Sequence, residues 1–178
     1  MGVSTTHAEL PAHLDLEYAK HAEKVCKTLD IDKSKHYDAL SHCNIVSIQA
    51  LGGHEGTCTA MRSLYSKAER YYRVGKAFSV IVLPTNAFIQ GCALSNLVSN
   101  TSFAPLTVDI MIQCPRVTPA FFIDDCRARS VADTSEECDE DLIATAYLHF
   151  DHDKYSGNKT NFLKSAVTSN GPKKRRTK

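Results

Sequence analysis

From residue 44 to residue 113 the chain alternates between two hydrophobic rhythms, and this alternation constrains the fold more than any other feature. Residues 44–51, NIVSIQAL, are rich in β-branched side chains and read as a strand. Residues 57–74 read as a helix that turns Met61, Leu64, Tyr65, Ala68 and Tyr72 to one side, with Thr57 as N-cap and Gly75 as C-cap. FSVIVL at 78–83 is the clearest buried strand, ended by Pro84 and Asn86, and FIQGCALSNLV at 88–98 gives a second, weaker helix. LTVDIMIQC at 106–114 alternates like a strand between Pro105 and Pro115.

Strand, helix, strand, helix, strand predicts crossover connections and a parallel core. Two further strands, 121–123 and 143–150, have no helices between them, which turns the expectation to a mixed sheet. Upstream, residues 14–29 set Leu14, Tyr18, Ala22, Val25, Cys26 and Leu29 at helical spacing. The expected fold class is therefore α/β, a single domain with a mixed sheet, an N-terminal helix and a β-α-β-α-β core. It would occupy residues 13–155, between a flexible N-terminus (1–12) and a polar, basic tail (156–178). The alternative is an antiparallel β-sandwich from about residue 77, with the helices as a peripheral layer.

At 178 residues and 43% apolar content, the chain can bury one ordinary core. No apolar run is long enough to cross a bilayer. Seven cysteines without a CxxC pair, and no secretory leader, imply reduced thiols in the cytoplasm or nucleus.

The formal charge of +1 is unevenly spread. The last six residues, KKRRTK, hold five bases, which leaves 16 bases against 20 acids in the remainder. Residues 124–141 hold eight acids and two arginines, whereas residues 56–76 hold five bases and one acid. A polyanion would have to meet the 56–76 segment or the tail. On a helix, Arg62, Arg70, Arg73 and Lys76 would fall within an arc of roughly 120°, a face suited to phosphates. Lys173, Lys174, Arg175 and Arg176 form a second cluster, able to contact nucleic acid or an import receptor.

The stretch ALGGHEGTCTAMR at 50–62 places Gly52, Gly53, Gly56 and Thr57 before the basic segment, where backbone N–H groups could hold a phosphate. It lacks the GxGxxG of dinucleotide sites and the GK[ST] of the P-loop, so a tight strand-to-helix turn is the preferred account of it. Cys58 would lie in the first helical turn near Arg62, although a buried thiol is the ordinary fate of such a residue. Cys126, Cys138, His149 and His152 have ligand types that zinc accepts but no zinc-site spacing, and the acids at 136–141 lack a calcium loop. Met1-Gly2-Val3-Ser4-Thr5-Thr6 fits an acylation pattern that would add a membrane partner.

The leading functional expectation is a non-catalytic nucleic-acid-binding accessory protein, acting through Arg62, Arg70, Arg73, Lys76 and the tail, with no catalytic residue, metal or cofactor. One alternative is a self-assembling shell or matrix protein, a homo-oligomer with an acylated Gly2. A third is a small enzyme that binds a phosphorylated substrate at Gly52–Gly56.

Overall fold

The computed structural model describes residues 5–82, 87–89 and 92–170. Helix α1 (Thr5–His21) leads into β1 (Val25–Asp32), which is followed by α2 (His36–Ala39), α3 (Asn44–Ala50) and α4 (Glu55–Ser66). A short hairpin, β2 (Arg73–Val74) and β3 (Ala77–Phe78), precedes α5 (Ala93–Ser102) and α6 (Ala104–Gln113). Strands β4 (Val117–Phe122) and β5 (Asp125–Ala132), helix α7 (Ser135–Ser156) and β6 (Ala166–Ser169) complete the chain. The class is mixed α/β, as expected. The sheet order is β4-β5-β1-β6, and every pairing in it is antiparallel.

The expected β-α-β-α-β core is therefore corrected, element by element. Residues 44–50 are helical because Ile45 and Ile48, one turn apart, both drive into a core shared with Cys58, Met61 and Tyr65 of α4 and Val98 of α5. Burial here overrides the β-branched preference. Residues 106–113 are helical because Phe103, Leu106, Ile110 and Cys114 form one buried stripe at helical spacing, and Pro105 starts the helix rather than bracketing a strand. Residues 143–150 belong to α7, whose buried residues Cys138, Leu142, Thr145 and His149 repeat every three to four positions.

The helix expected over 14–29 stops at His21, and Val25 onward is the central strand. There Leu29 and Ile31 face the core while Thr28, Asp30 and Asp32 occupy the other face, a period of two. Leu83 lies outside the described residues, and 78–82 do not form a buried strand in the sheet. Phe78 pairs only with Arg73, and Val80 and Ile81 are exposed. Only 121–122 of the expected strands sit in the sheet, inside β4.

Both proposed flanks carry structure. Helix α1 begins at Thr5, and β6 pairs with β1 through Lys27↔Ser169 to Asp30↔Ala166. The acidic stretch 124–141 holds β5 and the start of α7. Thr134 caps that helix in a reciprocal box with Glu137, and Gly157 ends it at φ 77.

Two apolar clusters hold the elements together. One lies between the sheet, α6 and α7, centred on Leu29, Ile31, Phe103, Ile110, Ala128 and Leu142. The other joins α3, α4 and α5 with Leu40 and Phe88. Ion pairs flank the first cluster: buried Lys33 Nζ to Asp153 at 2.6 Å, and exposed Arg116 to Asp141 through two bonds of 2.9 and 3.0 Å. Among the described residues no helix is long and apolar enough to cross a membrane.

Candidate functional site

Antiparallel register builds the site. Strand β1 runs out at Asp32, directly opposite Asp125 at the start of β5, with Asp30 opposite Arg127 one step away. The β4–β5 hairpin turns through Ile123 and Asp124, because Phe122 and Asp125 already pair across it. Three carboxylates, Asp32, Asp124 and Asp125, thus meet at one end of the sheet although they come from distant parts of the sequence.

Like charges placed directly across a strand pair are destabilising. Asp30 is neutralised by Arg127, but among the described residues no ion pair includes Asp32, Asp124 or Asp125. Burial, then the neighbouring Asp124 and Asp32, push the Asp125 carboxyl above its ordinary pKa. The crowding is therefore only partly relieved by the protein itself.

Two of the carboxylates, Asp32 and Asp124, open onto a cleft of about 720 Å³. Asp32 and Asp124 lie on its wall with the bases Lys35, Arg70 and Lys164, and with the rings of Tyr37 and Phe88. Asp32 and Lys164 also border a smaller cleft of about 450 Å³ that contains Asp125. Local backbone bonds fix this end of β1: Asn161 N–H donates to the Asp32 carbonyl at 2.8 Å, and Ser34 N–H to the Lys159 carbonyl at 2.7 Å. Tyr37 donates its hydroxyl proton to Asn96, which ties the cleft wall to α5.

The residues singled out in the sequence do not converge as expected. Helix α4 ends at Ser66, so Arg62, Arg70, Arg73 and Lys76 do not share a helical face. Arg62 is exposed and bonded to Gln49. Arg70 lies 4.0 Å from Asp38 and reaches the cleft. Arg73 and Lys76 are exposed on the β2–β3 hairpin, where Gly75 at φ 62 makes the turn and not a helix cap. The cap of α4 is His54 rather than Thr57, and the His54 ring takes the Gly56 N–H at 3.1 Å. Gly52 and Gly53 form a turn between two helices. Cys58 is fully buried. Gly2 and Lys173, Lys174, Arg175 and Arg176 lie outside the described residues. Among the described residues no group of three or more His, Cys, Asp or Glu side chains is arranged to hold a metal ion.

Sequence reasoning missed Asp32, Lys35, Asp124, Asp125 and Lys164. A signal existed: Asp30-Ile31-Asp32 ends an alternating run, and Asp124-Asp125 directly follows the apolar stretch FFI. Counting 124–141 as one acidic block concealed the second.

No protein-family model and no curated protein matches the sequence. By structure, the chain is similar to telomerase from Candida tropicalis in complex with a TWJ fragment of telomeric RNA, with a TM-score of 0.69 at 11% identity over 97% of this chain and 30% of that one. Apo telomerase from Candida tropicalis gives 0.67 at 10% identity, over 96% and 33% of the two chains. Telomerase from Candida albicans, also with a TWJ fragment of telomeric RNA, gives 0.58 at 12%, over 98% and 31%. The chain thus spans about a third of the length of these solved chains, and at such identities the likeness is one of fold.

Proposed function

We propose that this chain is the carboxylate-bearing part of a nucleic-acid enzyme of the telomerase kind, which binds RNA and a nucleotide and joins the nucleotide to a nucleic-acid end. The observation that carries this reading is the convergence of Asp32, Asp124 and Asp125, with no ion pair to any of them among the described residues, beside a cleft walled by Lys35, Arg70 and Lys164. The fold likeness to telomerase chains that were solved with telomeric RNA supports the nucleic-acid part.

The donor set suits a hard divalent cation. Magnesium is commonly held by one or two carboxylates with substrate phosphates and water completing its shell, so a pair drawn from Asp32, Asp124 and Asp125 would serve, the three together not being arranged as a preset metal site. When bound, such a cation neutralises charge on phosphate oxygens during phosphoryl transfer. Lys35, Arg70 and Lys164 would hold the phosphates, and the rings of Tyr37 and Phe88 would border the base or sugar. In the transfer, a hydroxyl oxygen on the nucleic-acid end attacks the α-phosphorus and gives up its proton to water, the bond to the β-phosphate oxygen breaks, and pyrophosphate leaves. Arg62, Arg73 and Lys76, exposed on neighbouring elements, would extend the phosphate contacts outward.

The test is nucleoside triphosphate binding by the full chain, with and without magnesium. Magnesium should tighten binding at least tenfold, and Asp32→Asn or Asp125→Asn should abolish that gain while leaving RNA binding in EDTA intact. Affinity unchanged by magnesium in the unsubstituted protein would refute the reading.

A further inference from the structure

Three polar side chains, each almost completely buried, link the segments that carry the carboxylates: His36, Ser99 and Asn158, at 2%, 0% and 4% exposure. Ser99, on α5, donates its hydroxyl proton to the Ile123 carbonyl at 2.9 Å. The next residue, Asn100, accepts the Ile123 N–H at 3.3 Å. Both backbone polar groups of the residue before Asp124 are thus held by one turn of α5.

The Ser99 hydroxyl has a single proton, so its contact with His36 Nε2, at 2.7 Å, requires the ring nitrogen to donate. Burial lowers the His36 pKa, which leaves the ring neutral with its proton on Nε2. The Asn158 side-chain oxygen lies 2.8 Å from Nδ1, so with the ring proton on Nε2 this contact is a hydrogen bond with the Asn158 amide turned to present its NH2 group. His36 stands four residues after Asp32 and stacks on Phe103 with ring centroids 5.2 Å apart. Asn158 directly follows the end of α7.

We propose that His36, Ser99 and Asn158 form a positioning relay that sets where Asp124 stands relative to Asp32. It rests on the reading that these carboxylates act together. A two-residue hairpin closes through its own strand pairing, so the turn does not need a helix to form. What the relay adds is a rigid connection from the segment after β1, through α5, to the turn. The relay acts on the turn through the Ser99 bond to the Ile123 carbonyl, and His36 also lines the cleft. Groups that orient metal-binding side chains from behind typically change affinity by about 10- to 100-fold when removed.

The experiment compares Ser99→Ala with Thr145→Ala, a control that removes another fully buried hydroxyl, bonded only within α7. Manganese affinity by electron paramagnetic resonance, amide hydrogen exchange over residues 120–126 and the melting temperature are read in the full chain. Ser99→Ala should weaken manganese binding about tenfold and speed exchange at the turn, whereas Thr145→Ala lowers the melting temperature with neither effect. Unchanged exchange and affinity in Ser99→Ala, or equal changes in the control, overturn the relay. If the unsubstituted chain takes no manganese, the carboxylate reading fails and exchange at the turn alone decides whether the relay holds it. Should Ser99→Ala not fold, Asn158→Ala is expected to move both readouts in the same direction by less.

Discussion

At the scale of single residues, this protein keeps several groups in places that cost stability. Asp32 and Asp125 repel across a strand pair, and Ile123 adopts φ 63, a left-handed conformation that a β-branched side chain rarely takes. Such features persist where the surrounding structure enforces them, and they cluster at functional sites. His149 is a different case. It is buried in α7 with Nδ1 unpartnered, and burial lowers its pKa to about 3. As pH falls through 6.5 the unfolded chain takes up the proton and the native protein does not, so stability is lost from that point downward. Between pH 7 and pH 5 the loss from this residue is about 2 kcal/mol. His149→Leu should raise the urea midpoint at pH 7 and remove about that much of the slope between pH 7 and 5. His36 and His152, also lowered by burial, leave a residual slope of the same sign.

At the scale of elements, the glycine-rich turn between α3 and α4 is governed by packing. A Cβ on Gly53 would stand 2.6 Å from Ile48 Cγ2 and 2.8 Å from the Ile48 carbonyl oxygen, which is backbone and cannot swing aside. A Cβ on Gly56 would meet only the His54 ring, at 3.1 Å. Gly53→Ala should therefore lower unfolding free energy by about 1–3 kcal/mol, with Gly56→Ala much closer to neutral, as measured by urea denaturation. The contrast separates a structural turn from a phosphate loop, in which both changes would chiefly impair ligand binding.

How legible each element was follows from what stabilises it. The α5 helix and the β4 strand follow local pattern, and the reading finds them in part. Helix α7 had a sound signal in Thr134-Ser135-Glu136-Glu137, a capping box, but the acids around it suggested a solvated loop. Strand β1 was hidden because Val25, Cys26 and Leu29 also fit a helical repeat. What makes it a strand is pairing on both edges with β5 and β6, distant in sequence. For the same reason the carboxylate site could not be read from spacing: it exists only as a register between β1 and β5.

At the scale of the whole molecule, a net charge of +1 conceals a cleft in which Lys35, Arg70 and Lys164 stand among the carboxylates of Asp32, Asp38 and Asp124. If RNA contacts Lys35, Arg70 and Lys164, the logarithm of affinity should fall with the logarithm of salt at a slope of about −2. Four further contacts from Lys173, Lys174, Arg175 and Arg176 would bring it to about −5. Fluorescence anisotropy with a single-stranded RNA, on the full chain and on one ending at residue 170, distinguishes the two. Equal slopes would exclude the terminal bases from the contact.

The order β4-β5-β1-β6 also dictates when this protein can come into being. Its central strand is made early but meets β5 only after roughly 100 more residues have been synthesised and β6 after roughly 137, and closing so wide a loop is slow. Until β5 is made Asp32 has no counterpart across the sheet. Whatever the carboxylates do is switched on by the last stage of folding.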